Sequence, residues 1–169
     1  MGLFKEELRS IKAFVFDVDG VLAESQVMLH PSGDMMRIMN TKDGLALFYA
    51  VKENFPVAII TGAKSPSIRE RFESLGIHDV FLDSRNKLKD MNIFLTKYQL
   101  EPAAVLYMGD DIPDISAMKE IGLPTCPNDA AEEVQNISKY ISNLPGGHGC
   151  VRDVIEQVLR SQGKWFKKE

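Results

Sequence analysis

Short apolar runs alternate along this chain with longer stretches in which apolar residues recur every three or four positions. The runs at 13–16 (Ala-Phe-Val-Phe), 57–60 (Val-Ala-Ile-Ile), 80–82 (Val-Phe-Leu) and 105–108 (Val-Leu-Tyr-Met) hold almost no polar side chain. Continuous apolar strands of this kind belong to sheets covered on both faces. A weaker run lies at 123–126. Helical spacing falls between the runs, at 44–52, 65–75, 87–98, 112–121, 130–137 and 151–159. Ser65-Pro66 and the segment 111–113 carry the residues of helix starts, and Gly76, Gly122 and Gly163 those of helix stops. Strands alternating with helices predict an α/β fold, a mostly parallel Rossmann-like sheet with helices on both faces.

One segment breaks this rhythm. Val27-Met28-Leu29-His30, then Pro31-Ser32-Gly33-Asp34, then Met35-Met36-Arg37-Ile38 reads as two short strands around a turn. This β-hairpin, at about 27–38, falls between the first strand and the first helix. Its methionines are packing residues, and an exposed hairpin so rich in Met and Ile needs a partner surface, which predicts an oligomer contact. The chain has 169 residues and neither an internal repeat nor a linker. A single domain over 1–169 is expected, with a C-terminal tail from about 160.

The chemistry gathers where the strands end. Open α/β sheets bind ligands at the carboxyl ends of their strands. Asp17 and Asp19 follow the first run, and side chains two positions apart in extended backbone point the same way. Gly20 then allows a tight turn and a close approach. Thr61-Gly62 follows the second run, Lys87 the third, and Gly109-Asp110-Asp111 the fourth, with Asp114 one helical turn later. Each feature has a plain structural reading when taken singly. The Asp pair could be a turn, Thr61 a turn residue, Lys87 a solvated charge, and Asp110-Asp111 a helix cap. Their order at successive strand ends points instead to one site holding acids, a hydroxyl and a lysine, the inventory for a phosphate and a divalent cation. Crowded carboxylates repel each other, and a bound cation is the usual remedy. In phosphoryl transfer one carboxylate can be a covalent nucleophile and a second can supply and remove protons. A lysine and a hydroxyl can clamp the developing charge.

Composition narrows the partners. Hydrophobic residues make up 44% of the chain and charged residues 26%, an ordinary globular balance. A formal net charge of -4 argues against nucleic acid as a partner. No apolar run is long enough to cross a membrane, and Met1-Gly2-Leu3-Phe4-Lys5-Glu6-Glu7 is too charged for a signal peptide. Cys126 and Cys150 are too few and too far apart for a disulfide framework, so a cytoplasmic location is expected. His30, His78 and His148 have no evident catalytic partner.

The set Asp17-Val-Asp19-Gly20, Ile60-Thr61-Gly62, Lys87 and Gly109-Asp110-Asp111-x-x-Asp114 resembles the haloacid dehalogenase (HAD) superfamily of phosphatases, with all four family motifs in order. The resemblance implies Asp17 as nucleophile and Asp19 as general acid and base. It implies Thr61 and Lys87 as ligands of the transferring phosphoryl group. Mg2+ would be held by Asp17, Asp110 and the backbone carbonyl of Asp19, with Asp111 and Asp114 orienting its shell. An acid at position 19 is the phosphatase form of the motif.

Many members carry a cap domain, and here neither possible insertion is long enough for one. A neighbouring subunit would then close the site. This capless form resembles the tetrameric sugar-acid phosphatases of the superfamily, above all those acting on Kdo 8-phosphate in lipopolysaccharide biosynthesis. That implies a homotetramer with active sites at subunit interfaces and a small sugar-acid phosphate as substrate. Asn40-Thr41-Lys42-Asp43-Gly44 looks like that group's substrate-contacting segment, and Arg71 falls at a substrate-binding arginine. Gly62 and Lys64 join them as expected substrate contacts. Gly146-Gly147-His148-Gly149-Cys150-Val151-Arg152 is similar to the group's C-terminal glycine-rich stretch. The chain departs from the pattern at Ala63 and Phe48, where arginines are usual, and Lys64 offers no bidentate fork in their place. A nine-carbon sialate-like acid 9-phosphate is the alternative substrate. A more remote alternative is a signalling module with Asp83 as phospho-acceptor. Trp165 and Phe166, in a basic tail, are expected to reach a neighbouring subunit.

Overall fold

The computed structural model describes residues 2–166. It opens with α1 (Gly2–Ser10), then β1 (Ala13–Phe16), β2 (Met28–Leu29) and β3 (Met35–Met36). Next come α2 (Thr41–Lys52), β4 (Val57–Ile60), α3 (Pro66–Glu73), β5 (Asp79–Phe81) and α4 (Lys87–Tyr98). The last part runs through β6 (Val105–Met108), α5 (Ile115–Met118), β7 (Leu123–Cys126), α6 (Glu132–Ile137), β8 (Tyr140–Ile141) and α7 (Cys150–Ser161).

Six strands form one parallel sheet in the order β5-β4-β1-β6-β7-β8. The chain starts at the centre, builds outward through β4 and β5, then returns to the other side of β1 for β6, β7 and β8. That reversal opens a crevice beyond the carboxyl end of β1, the switch point where such sheets take ligands. The register sets the crevice walls: Phe16 pairs with Met108 and with Ile59, so the residues after all three strands emerge side by side.

Alternation along the strands divides the core in two. Phe14, Phe16, Val57, Ile59, Leu106 and Met108 face α1, α2, α3 and α7. Ala13, Val15, Ala58, Ile60, Val105 and Tyr107 face α4, α5 and α6. Every residue of β1, β4, β6 and β7 is buried, which is why the sequence shows continuous apolar runs there.

The α/β class and the hairpin are as the sequence implies, and no cap domain is present among the described residues. The hairpin is a two-residue ladder, Met28 with Met36 and Leu29 with Met35. Two elements had no signal. Tyr140–Ile141 is too short to show a period, and α1 lies in a segment read only for targeting. The helix expected at 112–121 is a 3₁₀ turn, Ile112–Asp114, followed by a single α turn. Asp114 turns back to accept the backbone N–H groups of Asp110 and Asp111, which draws its side chain into the site. Gly76 and Gly163 do end helices in the left-handed conformation. Gly122 is required for a different reason, since a Cβ there would meet the Ala103 carbonyl oxygen at 2.0 Å.

The glycine-rich stretch packs against the turn after β1. Gly147 N–H donates to the Val21 carbonyl, and a Cβ on Gly146 would lie 2.1 Å from the Gly20 carbonyl oxygen. Gly146→Ala is therefore expected to cost about 2 kcal/mol, as overpacking does. A thermal melt measures it, and an unchanged Tm would show that this contact is not tight.

Candidate active site

Asp17 leaves the end of β1 nearly buried, at 6% exposure. Its Oδ1 accepts the Val18 N–H at 2.7 Å, and its Oδ2 lies 2.7 Å from the Lys87 ammonium. Lys87 is the first residue of α4, whose N-cap is Asn86. It is buried beside two acids, since its Nζ also donates to Asp114 Oδ1 at 2.7 Å. Tyr107, fully buried on β6, donates its hydroxyl to the same Asp114 oxygen at 2.8 Å. The oxygens of Asp114 are thus occupied by the protein, and its work is to hold Lys87. Burial drives the Lys87 pKa down, but Asp17 and Asp114 outweigh it and the net shift is upward. Lys87 stays a cation.

Asp110 follows β6 and faces the same space. Asp17, Asp110 and Asp114 each offer an oxygen, all within 4.8 Å of one another. Burial, then repulsion from Asp114, pushes the Asp17 carboxyl up to about 7. Burial, then Asp17 and Asp114, pushes Asp110 up to about 8. One lysine does not neutralise three buried carboxylates, and oxygen donors held this close fit a hard divalent cation. The turn leaves room for nothing larger than a hydrogen: a Cβ on Gly20, at φ +81°, would stand 1.9 Å from Asp110 Oδ2. Asp111 is exposed, and its Oδ1 accepts the Ile112 N–H. It caps the turn and is absent from the three-acid group.

Thr61 is buried at the end of β4, and its Oγ1 accepts the Ala63 N–H at 3.1 Å. Gly62 is exposed, with its Cβ direction open to 3.9 Å. Asp19 points out of the cluster. Both its oxygens are taken by the guanidinium of Arg37, which also donates from Nη1 to the Met35 carbonyl. Arg37 had no assigned role in the sequence. The signal was a lone cation inside the apolar run Met35-Met36-Arg37-Ile38. A cavity of about 230 Å³ lies beside it, lined by Asp34, Arg37, Gly62, Lys64 and Ser65 among others. Ser65 Oγ donates to Asp34 Oδ1 at 2.9 Å, tying the hairpin turn to the loop after β4.

The remaining expected contacts separate. Asn40 is the N-cap of α2, with its side chain accepting the Lys42 N–H, and Lys42 itself is exposed. Arg71 and Gly44 do meet, because a Cβ on Gly44 would lie 2.5 Å from Arg71 Nη2. Lys64 is exposed and pairs with Asp83 at 3.4 Å. Asp83 also pairs with Arg85 and lies outside the three-acid group, which leaves the phospho-acceptor alternative without support. Trp165 packs on Tyr49 of its own chain, with ring centroids 5.5 Å apart. Lys167 and the two residues after it lie outside the described residues.

Asp43 differs from its expected place at the substrate. It is 1% exposed and turned toward α7, its Oδ1 accepting the Arg152 N–H at 2.7 Å. Oδ2 is buried with no hydrogen-bond partner. The helix register explains it: Asp43 faces inward beside Ala46, Leu47 and Ala50.

No family model matches the chain. A structure of a hydrolase assigned to the HAD superfamily, subfamily III A, from Legionella pneumophila superposes with a TM-score of 0.93 at 27% identity, covering 97% of this chain and 90% of that one. Fold and donor set together define a phosphatase of this superfamily in its capless form. The 3-deoxy-D-manno-octulosonate 8-phosphate phosphatase KdsC of Salmonella typhi is 34% identical over 155 residues, 92% of this chain and 82% of that protein. The Moraxella catarrhalis 3-deoxy-D-manno-octulosonate 8-phosphate phosphatase, solved with magnesium, phosphate and KDO, gives a TM-score of 0.92 at 31% identity, covering 96% and 94% of the two chains. The chain belongs to the family of 3-deoxy-D-manno-octulosonate 8-phosphate phosphatases.

The Asp43 carboxyl is raised by burial to about 6 from an ordinary 3.8, against the Arg152 and Gly149 backbone N–H groups that favour its anion. A raised carboxyl contributes stability below 3.8 that is lost as pH rises through about 6. Asp43→Asn keeps an acceptor and removes the charge. Its stability relative to the parent should rise by about 2 kcal/mol between pH 4 and pH 8. Urea melts across that range measure it, and a pH-independent difference would rule Asp43 out as the titrating group.

Proposed function

We propose that this chain hydrolyses Kdo 8-phosphate to Kdo and inorganic phosphate, with Mg2+ as cofactor and Asp17 as nucleophile. The observation that carries the reading is Asp17 itself, fixed at the sheet's switch point by Lys87 and the Val18 N–H beside an unneutralised acidic cluster. The Asp17 carboxylate attacks phosphorus and forms an aspartyl-phosphate as the sugar oxygen leaves. Asp19 gives that oxygen its proton, then takes one from the water that splits the intermediate. Thr61, Gly62 and Lys87 hold the phosphoryl oxygens, the lysine by charge. Asp17, Asp110 and the Asp19 carbonyl hold Mg2+, with Asp111 and Asp114 outside them. Bound there, the ion neutralises the acids and draws charge from the phosphoryl group. Asn40, Lys42, Gly44, Lys64 and Arg71 are left for the sugar acid, and Asp43 ties α2, which bears Lys42 and Gly44, to α7. The family resemblance supports a role in lipopolysaccharide biosynthesis, in the cytoplasm. No helix among the described residues is long and apolar enough to cross a membrane.

Phosphate release from Kdo 8-phosphate should require Mg2+, stop with EDTA, and fall below detection in Asp17→Asn. A nine-carbon acid 9-phosphate is the comparison substrate, and a higher kcat/KM for it would overturn the Kdo assignment. Activity surviving in Asp17→Asn would overturn the nucleophile.

The hairpin supports the oligomer. Met28, Leu29, Met35, Met36 and Ile38 are all exposed, Leu29 by 74% and Ile38 by 80%. We read this face as the contact between copies in a homotetramer that closes each active site. Leu29→Glu with Ile38→Glu should convert the tetramer to smaller species in sedimentation and raise KM. A parent that sediments as a monomer would remove this part of the proposal.

A further inference from the structure

The two acids of the Asp-x-Asp turn are held by cations from different parts of the chain. Asp17 has Lys87, from α4 beneath the site. Asp19 has Arg37, from the strand edge of the hairpin above it. The second pairing is the more restrictive. Arg37 Nε donates to Asp19 Oδ1 and Nη2 to Oδ2, the latter at 2.9 Å. A planar fork meeting both oxygens fixes the plane of the carboxylate as well as its position, which a single ammonium does not. Arg37 is itself braced, since its Nη1 donates to the Met35 carbonyl at 2.7 Å.

Asp19 needs this support. Its side chain is about a third exposed, while Asp17 and Asp114 are buried. Among the described residues no other group holds its carboxylate, and an exposed Asp samples several rotamers. A group that must meet the leaving oxygen within hydrogen-bond reach loses rate when its orientation is unset. We propose that Arg37 is the positioning residue for Asp19, the hairpin's contribution to the proton-transfer step. This rests on the reading of Asp19 as general acid. Arg37 acts through that carboxylate and touches neither the phosphoryl group nor the sugar.

The test separates proton transfer from binding by varying only the leaving group. Phenyl phosphate and p-nitrophenyl phosphate have nearly the same shape and no carboxylate, but the nitro ester departs without needing a proton. Arg37→Ala should lower the single-turnover rate of phenol release from phenyl phosphate about tenfold or more, with KM within about twofold, and lower that of nitrophenolate release less than about twofold, because leaving-group release precedes the hydrolysis in which Asp19 is the base for both esters. Arg37→Gln, which fills more of the same space, should give the same split. Arg37→Lys, with the charge but no fork, should fall between these variants and the parent. Equal loss on both esters would make Arg37 a phosphoryl contact and overturn the inference. A loss confined to KM, no loss at all, or full recovery in Arg37→Lys would overturn it too. Asp19→Asn is the control and should show the leaving-group split itself. If it splits the esters and the Arg37 variants do not, this inference alone fails. If Asp19→Asn loses both esters equally, the acid role fails and the inference with it.

Discussion

The Lys87 ammonium stands 2.7 Å from both Asp17 and Asp114, and the site is organised around that contact. Two ionised carboxylates about 5 Å apart repel by about 3 kcal/mol at an effective dielectric of about 20. Here three acids approach within 4.8 Å, all at least partly buried. A single cation from α4 offsets part of that repulsion. It also links β1 to the turn after β6, and so ties the two halves of the sheet across the switch point. Tyr107 extends the link by anchoring Asp114 from inside the second core. Removing the lysine would leave Asp17 and Asp114 facing each other with no cation between them, so the residue proposed to hold phosphate also serves the fold.

The charge left over is the functional feature. Asp17 and Asp110 are pushed up to about 7 and about 8 because one lysine is not enough. A divalent ion completes the balance, and its attraction is strongest where the protein has left the acids least satisfied. Gly20 permits this crowding, because a side chain there would occupy the place of the Asp110 carboxylate. Gly146 backs the same turn from the far side, so a segment 126 positions away in sequence fixes the loop bearing Asp17 and Asp19.

The hairpin adds a second layer. It replaces a cap domain with a two-residue ladder, too small to bury its own apolar side chains. Arg37 turns inward from that ladder to Asp19 while Met36 and Ile38 on either side face solvent. The element with the most exposed apolar surface is therefore also the one that holds Asp19.

The sequence by itself determined the layered fold and the main acids. Strands buried on both faces must be apolar throughout, so β1, β4 and β6 were visible as runs, and Asp17, Thr61 and Asp110 stood out as the first polar residues after them. It did not determine what depends on contacts across the chain. The isolated sequence gives Asp43 the same standing as Lys42, and only helix packing turned one into the core and left the other in solvent. Arg37 had no assigned role because its partner lies 18 residues back, beyond any local pattern. Asp114 was expected to orient the metal's shell, and only tertiary structure made it the anchor for Lys87. Periodicity reports which face of an element is buried. Which charges meet once the elements pack is decided by the fold alone.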